Sequence, residues 1–239
     1  MARVNVAFVW HMHQPWYLWP DSHWAALPFA RLHATAAYYD MPWVLRQFDQ
    51  TRVTFNLVPS LIEQVQGYMR GEIGDRAALL SRRHPYDLSL DDQRYLLTHM
   101  CGGHPGGVMA ASARYGELSH KRGPDRKPET IDRACSLFTD DEYLDLQVLF
   151  NLAWCGFALD NTSEVVHELR RKDRDFTADE KEALLDEMDR TVGLVIGEYA
   201  RAAADRRAEL ICSPRYHPIL PLLTQMADAE RRIPGAQLP

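Results

Sequence analysis

Long apolar runs are missing from this sequence. The first strand-like stretch, Val4 to Trp10, is far shorter than the roughly 18 to 20 residues that cross a bilayer, and it leads straight into histidines. It is therefore read as neither a signal peptide nor an anchor. Cysteine is scarce: Cys101, Cys135, Cys155 and Cys212 are scattered without a CxxC pair, three of them in apolar or helical surroundings. That disfavours a disulfide scaffold and predicts reduced thiols in the cytoplasm. A surplus of positive charge is also lacking. The net charge of -6 is spread along the chain and leaves no electrostatic footprint for nucleic acid or for an anionic membrane surface. Internal repeats and low-complexity tracts are not evident.

What remains is a globular composition. With 239 residues, 46% hydrophobic and 25% charged, the chain can build one large domain or two small ones around a real core. Val4 to Trp10 reads as a buried parallel strand that ends abruptly in the polar cluster His11-Met12-His13-Gln14-Pro15. A polar and aromatic loop follows through Pro28, then a helix over about residues 34–48. Arg52 to Val58 is a second strand closed by Pro59, and Ser60 with Glu63 has the capping-box spacing that opens a helix. Strand, helix, strand, helix in that order predicts a parallel α/β architecture.

The stretch from about Gly71 to Ser136 differs, carrying a Gly- and Pro-rich cluster from Cys101 to Gly107 and a second from Lys121 to Pro128. It reads as an insertion of short helices, its loops being either solvated connectors or a binding lid. Two stronger helices follow, each opened by a capping box: Thr139 with Glu142, and Thr177 with Glu180. The first is apolar around most of its circumference, from Leu144 to Trp154, and should be buried; the second is amphipathic and runs toward Tyr199. Glu209 to Ser213 then reads as a third strand, and Tyr216-His217-Pro218 again places a histidine just past a strand end.

His11 and His13 are separated by one residue, so the period of two puts both imidazoles on one side of the strand, able to converge on one ligand. Sites built on parallel strands gather at their C-terminal rim, which favours function for these two and for His217. The bland alternative is that each histidine is a structural hydrogen-bonder. A metal-dependent hydrolase is a second alternative, since neutral imidazoles ligate zinc. Gln14 and Pro15 are poor ligands, however, so that reading needs a distant acid such as Asp40. Four of the six tryptophans fall within the first 24 residues, and Trp10, Trp16, Tyr17, Trp19, Trp24 and Phe29 crowd the first loop. Flat rings with a polar tip stack on sugars, so a carbohydrate cleft fits better than a small-ion site.

These residues resemble a known family. His11-Met12-His13-Gln14-Pro15 is similar to the first signature of glycoside hydrolase family 57, a strand-end His-Gln-Pro. Arg31 to Thr35, Tyr38 to Met41 and Arg52 to Leu61 resemble its α-amylase- and glucanotransferase-like members. Asp145 to Val148 with Phe150 to Trp154 resembles its helical insertion, and Glu209 to Ser213 with Tyr216 to Leu222 its second signature. The resemblance implies a seven-stranded (β/α) barrel acting on α-glucans by a retaining mechanism, with a glutamate nucleophile and an aspartate acid/base in later signatures. On this reading residues 1–239 are the N-terminal part of the catalytic barrel, an incomplete (β/α)7 barrel with a mainly helical insertion at about 71–200. Both catalytic carboxylates are expected beyond Pro239, and Asp21, Asp40, Glu63 and Glu209 are not promoted to those roles. The chain alone would then have little or no turnover.

The expected ligand-binding set is His11, His13, Gln14, Trp10, Trp16, His217, Tyr216 and Glu209, with no metal and no cofactor. The expected partner is an α-glucan or maltooligosaccharide, not nucleic acid or membrane. A second chain or self-association would complete an open barrel edge. A non-catalytic sugar-binding or scaffold chain is the remaining alternative.

Overall fold

In the computed structural model, which describes residues 4–101, 112–225, 227–235 and 237, the chain alternates short strands with helices before turning almost wholly helical. Strand β1 (Val9–Met12) and the two-residue β2 (Trp24–Ala25) come first. Helices α1 (Phe29–His33) and α2 (Asp40–Leu45) follow, joined by a π-turn over Ala34–Tyr38. Strand β3 (Val53–Leu57) leads into α3 (Pro59–Met69), and β4 (Gly74–Asp75) into α4 (Arg76–Arg82). The helices α5 (Leu90–Tyr95), α6 (Ala113–Arg122), α7 (Pro128–Cys135), α8 (Asp140–Ala153), α9 (Phe157–Thr162), α10 (Glu164–Lys172) and the long α11 (Ala178–Ala204) precede β5 (Ala208–Ile211). Short helices α12 (Leu220–Thr224) and α13 (Asp228–Arg232) come last. Most of the glycine-rich cluster after Cys101 lies outside the described residues.

The principal sheet is parallel, with β3 in the centre between β1 and β5. That bears out a parallel α/β architecture, while the first strand differs from expectation. It starts at Val9 rather than Val4 and is not buried: Val4 is 83% and Phe8 53% exposed. The physical reason is position. β1 is an edge strand, and among its residues only Met12 reaches the core. Met12 and Phe55 pack with Tyr38, Leu61, Val65, Val195 and Tyr199 from the helices on one face, Phe55 meeting the Tyr199 ring edge-on at 5.0 Å. The opposite face carries His11, Thr54, Asn56 and Glu209.

The helices form a second core around α8. Its capping box forms as the spacing predicts, Thr139 with Glu142, and Tyr143 through Leu152 are all buried. Burial of each large apolar side chain there contributes about 1.5–3 kcal/mol. The buried polar residues of α8 have defined partners. Gln147 donates to the carbonyls of Leu80 (2.6 Å) and Arg83 (2.9 Å), and Asn151 to Ser81 Oγ (2.8 Å). Lys181 Nζ, held at 2.8 Å from Arg83 O, adds to the same set, so side chains from α8 and α11 satisfy the carbonyls that α4 leaves unpaired at its end. Thr177 and Glu180 close the capping box that starts α11.

The expected box at Ser60 and Glu63 does not form. Pro59 occupies the first turn of α3, where its missing N–H costs nothing, and the Ser60 hydroxyl donates instead to Gln14 O at 2.9 Å. Strands β2 and β4 pair in parallel as a second, two-stranded sheet. Gly74 is required there, because a Cβ on it would fall within the Trp24 ring. The neighbouring Asp75 is buried and forks onto Arg31 of α1 at 2.8 and 3.2 Å, while its Oδ1 also accepts the Ala78 amide at 2.7 Å to cap α4.

Candidate functional site

The C-terminal ends of β1, β3 and β5 open onto one rim, and the structure gathers three imidazoles there. The ring centroids of His11 and His13 are 5.9 Å apart and nearly parallel, and His217 lies 4.4 Å from the first and 5.2 Å from the second. His11 is part of β1 and His13 follows it by two residues, so the pleat delivers both to one side. His217 reaches them from the loop after β5 by a turn in which its own N–H donates to Pro214 O at 2.8 Å. Its backbone has φ of 55°, a left-handed conformation that costs an L-residue about 1–2 kcal/mol. Such strain concentrates where function fixes a side chain.

Beneath His11 lies Asn56, its direct partner in the ladder between β1 and β3. The Asn56 amide nitrogen is 3.0 Å from His11 Nδ1 and 2.8 Å from Ser213 Oγ, so the central strand ties both flanking segments together. Asn56 Oδ1 is buried and has no hydrogen-bond partner. Neither Asn56 nor Ser213 stands out in the sequence as a site residue. What selects them is the strand register across 45 and 157 positions.

Gln14 takes a different role from the expected one. Its side chain is buried, with Oε1 accepting from Tyr17 Oη at 2.8 Å and Nε2 donating to Tyr38 Oη at 2.7 Å. Tyr38 in turn donates to His13 O at 3.2 Å, and Gln64 Nε2 donates to Pro15 O at 2.9 Å. Gln14 is thus spent on holding the loop rather than facing a ligand. Trp10 also departs from expectation. It alternates with His11 and turns to the opposite face, lining an apolar groove of about 440 Å³ with Phe8, Met41, Phe48 and Phe157.

Trp16 and Tyr216 do lie together, their rings edge-on at 6.2 Å. The Arg215 guanidinium sits over both, 5.5 Å from the Trp16 ring and 5.2 Å from that of Tyr216, and pairs with Glu63 at 2.5 Å. Glu209 is exposed and accepts from Thr54 Oγ1 at 3.2 Å on the face that carries Asn56. Asp40 is taken up elsewhere: its two oxygens accept the Phe157 and Ala158 amides, each at 2.7 Å, and so cap α9. Asp40, the example of a distant acid for a zinc site, is therefore taken up by these amides. Among the described residues no group of three His, Cys, Asp or Glu side chains is arranged to hold a metal ion.

Burial, then the neighbouring charges of His217 and His11, push the His13 pKa below the ordinary imidazole value. Burial likewise lowers His33 and His99. The folded protein therefore binds fewer protons at these sites than the unfolded chain. The stability they contribute is present above the unfolded value of about 6.5 and is lost as pH falls below it. The denaturation midpoint is expected to drop between about pH 7.5 and pH 5.5, less steeply in His13→Gln. A midpoint that rises or stays level over that range would contradict the sign.

Among the described residues no helix is long and apolar enough to cross a membrane. Comparison with known protein families matches residues 7–236 to glycosyl hydrolase family 57. No curated protein and no solved structure matches the chain.

Proposed function

The chain belongs to glycosyl hydrolase family 57, and on that premise we propose that the rim holding His11, His13 and His217 is a sugar-binding site for α-glucans such as maltooligosaccharides. Membership makes the enzyme class a glycoside hydrolase or glucanotransferase acting on sugars. The observation that carries the finer reading is the convergence of three imidazoles within 5.9 Å of one another at the ends of parallel strands. Neutral imidazoles can both donate to and accept from hydroxyl groups, and the lowered His13 pKa keeps that ring neutral at pH 7. Trp16 and Tyr216 supply the apolar faces on which a sugar ring stacks, and Glu209 borders the site from β5.

Retaining hydrolysis or transfer needs two carboxyl groups about 5 to 5.5 Å apart, one as nucleophile and one as acid/base. Three of the four carboxylates weighed from the sequence are otherwise engaged: Asp40 caps a helix, Glu63 pairs with Arg215, and Glu209 binds Thr54. Our reading is that the 239 residues supply substrate contacts, that the three-stranded sheet is a segment of a (β/α)7 barrel carrying a helical insertion, and that the reacting carboxylates come from outside it. A second chain, or self-association at the open edges of the sheet, would be a way to complete that barrel. Four unpaired cysteines fit a reducing, cytoplasmic setting.

Titration calorimetry with maltooligosaccharides tests the reading. Binding is expected for the unaltered chain, with at least about a tenfold loss in His13→Ala, the equivalent of about 1.4 kcal/mol. Affinity untouched by His13→Ala would remove the rim as the site. Glycosidic cleavage by the 239-residue chain, abolished by a single Asp or Glu substitution, would overturn the assignment of the carboxylates.

A further inference from the structure

We infer that Asn56 is a positioning residue that locks His11 in the tautomer with Nδ1 bare and Nε2 protonated, so that His11 meets its ligand as a hydrogen-bond donor. The inference on the ligand rests on the sugar-binding reading above; the inference on the tautomer does not.

Asn56 has two N–H donors and one carbonyl, and the structure points the nitrogen at both His11 Nδ1 (3.0 Å) and Ser213 Oγ (2.8 Å). Both donors are used, and a single buried acceptor, Oδ1, is left over. Turning the amide over would let the oxygen accept from His11 and Ser213, but it would strand the nitrogen and its two N–H groups in the buried position. Buried carbonyls short of a partner are tolerated more often than orphaned N–H groups, so the observed orientation is the less costly one. With the amide donating, His11 Nδ1 must accept, which requires a lone pair there. A neutral imidazole then carries its proton on Nε2, the nitrogen that Asn56 leaves free.

The ladder makes this selection rigid. Asn56 sits on the central strand opposite His11, and its second N–H is anchored to the segment after β5, so the amide cannot swing without breaking a bond on the far side. Turned toward a sugar, an Nε2–H offers a hydroxyl oxygen a donor and no acceptor. The rim therefore gains one fixed polarity at His11, and a ligand is selected by where it presents an oxygen lone pair.

Long-range 1H–15N correlation of histidine-labelled protein at about pH 8, where imidazoles are neutral, reads each tautomer directly. The His11 signal is assigned by its loss in His11→Phe. Expected is an unprotonated Nδ1 in the unaltered chain, a switch to protonated Nδ1 in Asn56→Asp, whose carboxylate can only accept, and a mixture in Asn56→Ala. Protonated Nδ1 in the unaltered chain would overturn the inference, and that measurement stands even if a variant fails to fold. So would a tautomer that stays the same in folded Asn56→Asp. In parallel, maltooligosaccharide affinity is expected to fall about tenfold in Asn56→Asp. If the unaltered chain binds no maltooligosaccharide, the sugar reading fails while the spectra still decide the role of Asn56.

Discussion

Asp75→Ala is expected to lower the unfolding free energy by about 4 kcal/mol. Two causes combine. The carboxylate is 1% exposed and forks onto Arg31, itself buried, so its removal leaves a buried guanidinium without the carboxylate that is hydrogen-bonded to it. The same carboxylate accepts the Ala78 amide, and loss of a helix cap adds about 1 kcal/mol. The pair also joins α1 to the short strand that leads into α4. Replacing both partners separates these contributions. Arg31→Met with Asp75→Asn removes the stranded charge and keeps an acceptor for Ala78, so the double variant should be more stable than Asp75→Ala despite carrying one more change. Urea denaturation of the singles and the double measures this. Strict additivity would mean that the two groups do not interact.

Gln14→Leu comes second, at about 2 kcal/mol, and its effect reaches the rim. Leucine has a similar volume, so little is lost in packing. What is lost is the relay in which Tyr17 Oη donates to Gln14, Gln14 to Tyr38 and Tyr38 to His13 O. Buried hydroxyls polarised in series lose more together than singly. Tyr38→Phe, which breaks the same relay at its far end, should cost about half as much, because the Gln14–Tyr17 bond survives. Denaturation midpoints order the two variants. A Gln14→Leu protein as stable as the unaltered chain would show that the amide is idle. Maltooligosaccharide affinity should weaken in Gln14→Leu although the residue touches no ligand, since it holds the backbone that carries His13.

Local chemistry was legible in the sequence wherever a few neighbouring residues decide it. The boxes at Thr139 and Thr177 form because each needs only four consecutive residues. The spacing of His11 and His13 translates directly into two rings on one side of a strand. The box at Ser60 had the same spacing and failed, because Pro59 starts the helix and Gln14, 46 residues away, claims the hydroxyl. Arrangements set by distant pairing were out of reach. Nothing near Asn56 announces that it will lie under His11, nor does anything near Arg31 point to Asp75, 44 residues on. The exposure of Val4 to Trp10 escapes local reading for a related reason: an apolar run shows that a strand is plausible, but whether it sits in the centre or at the edge of a sheet depends on the whole topology.

The π-turn at Ala34–Tyr38 fixes how many amino acids this part of the chain can hold. Wide turns of this kind accommodate one residue more than a regular helix, and each residue added or removed rotates everything beyond it by about 100°. A one-codon deletion here would let the helix wind regularly, yet it would carry Tyr38 away from Gln14 and Asp40 away from the amides of α9 in a single step. The length of this segment is thereby tied to two distant attachments at once.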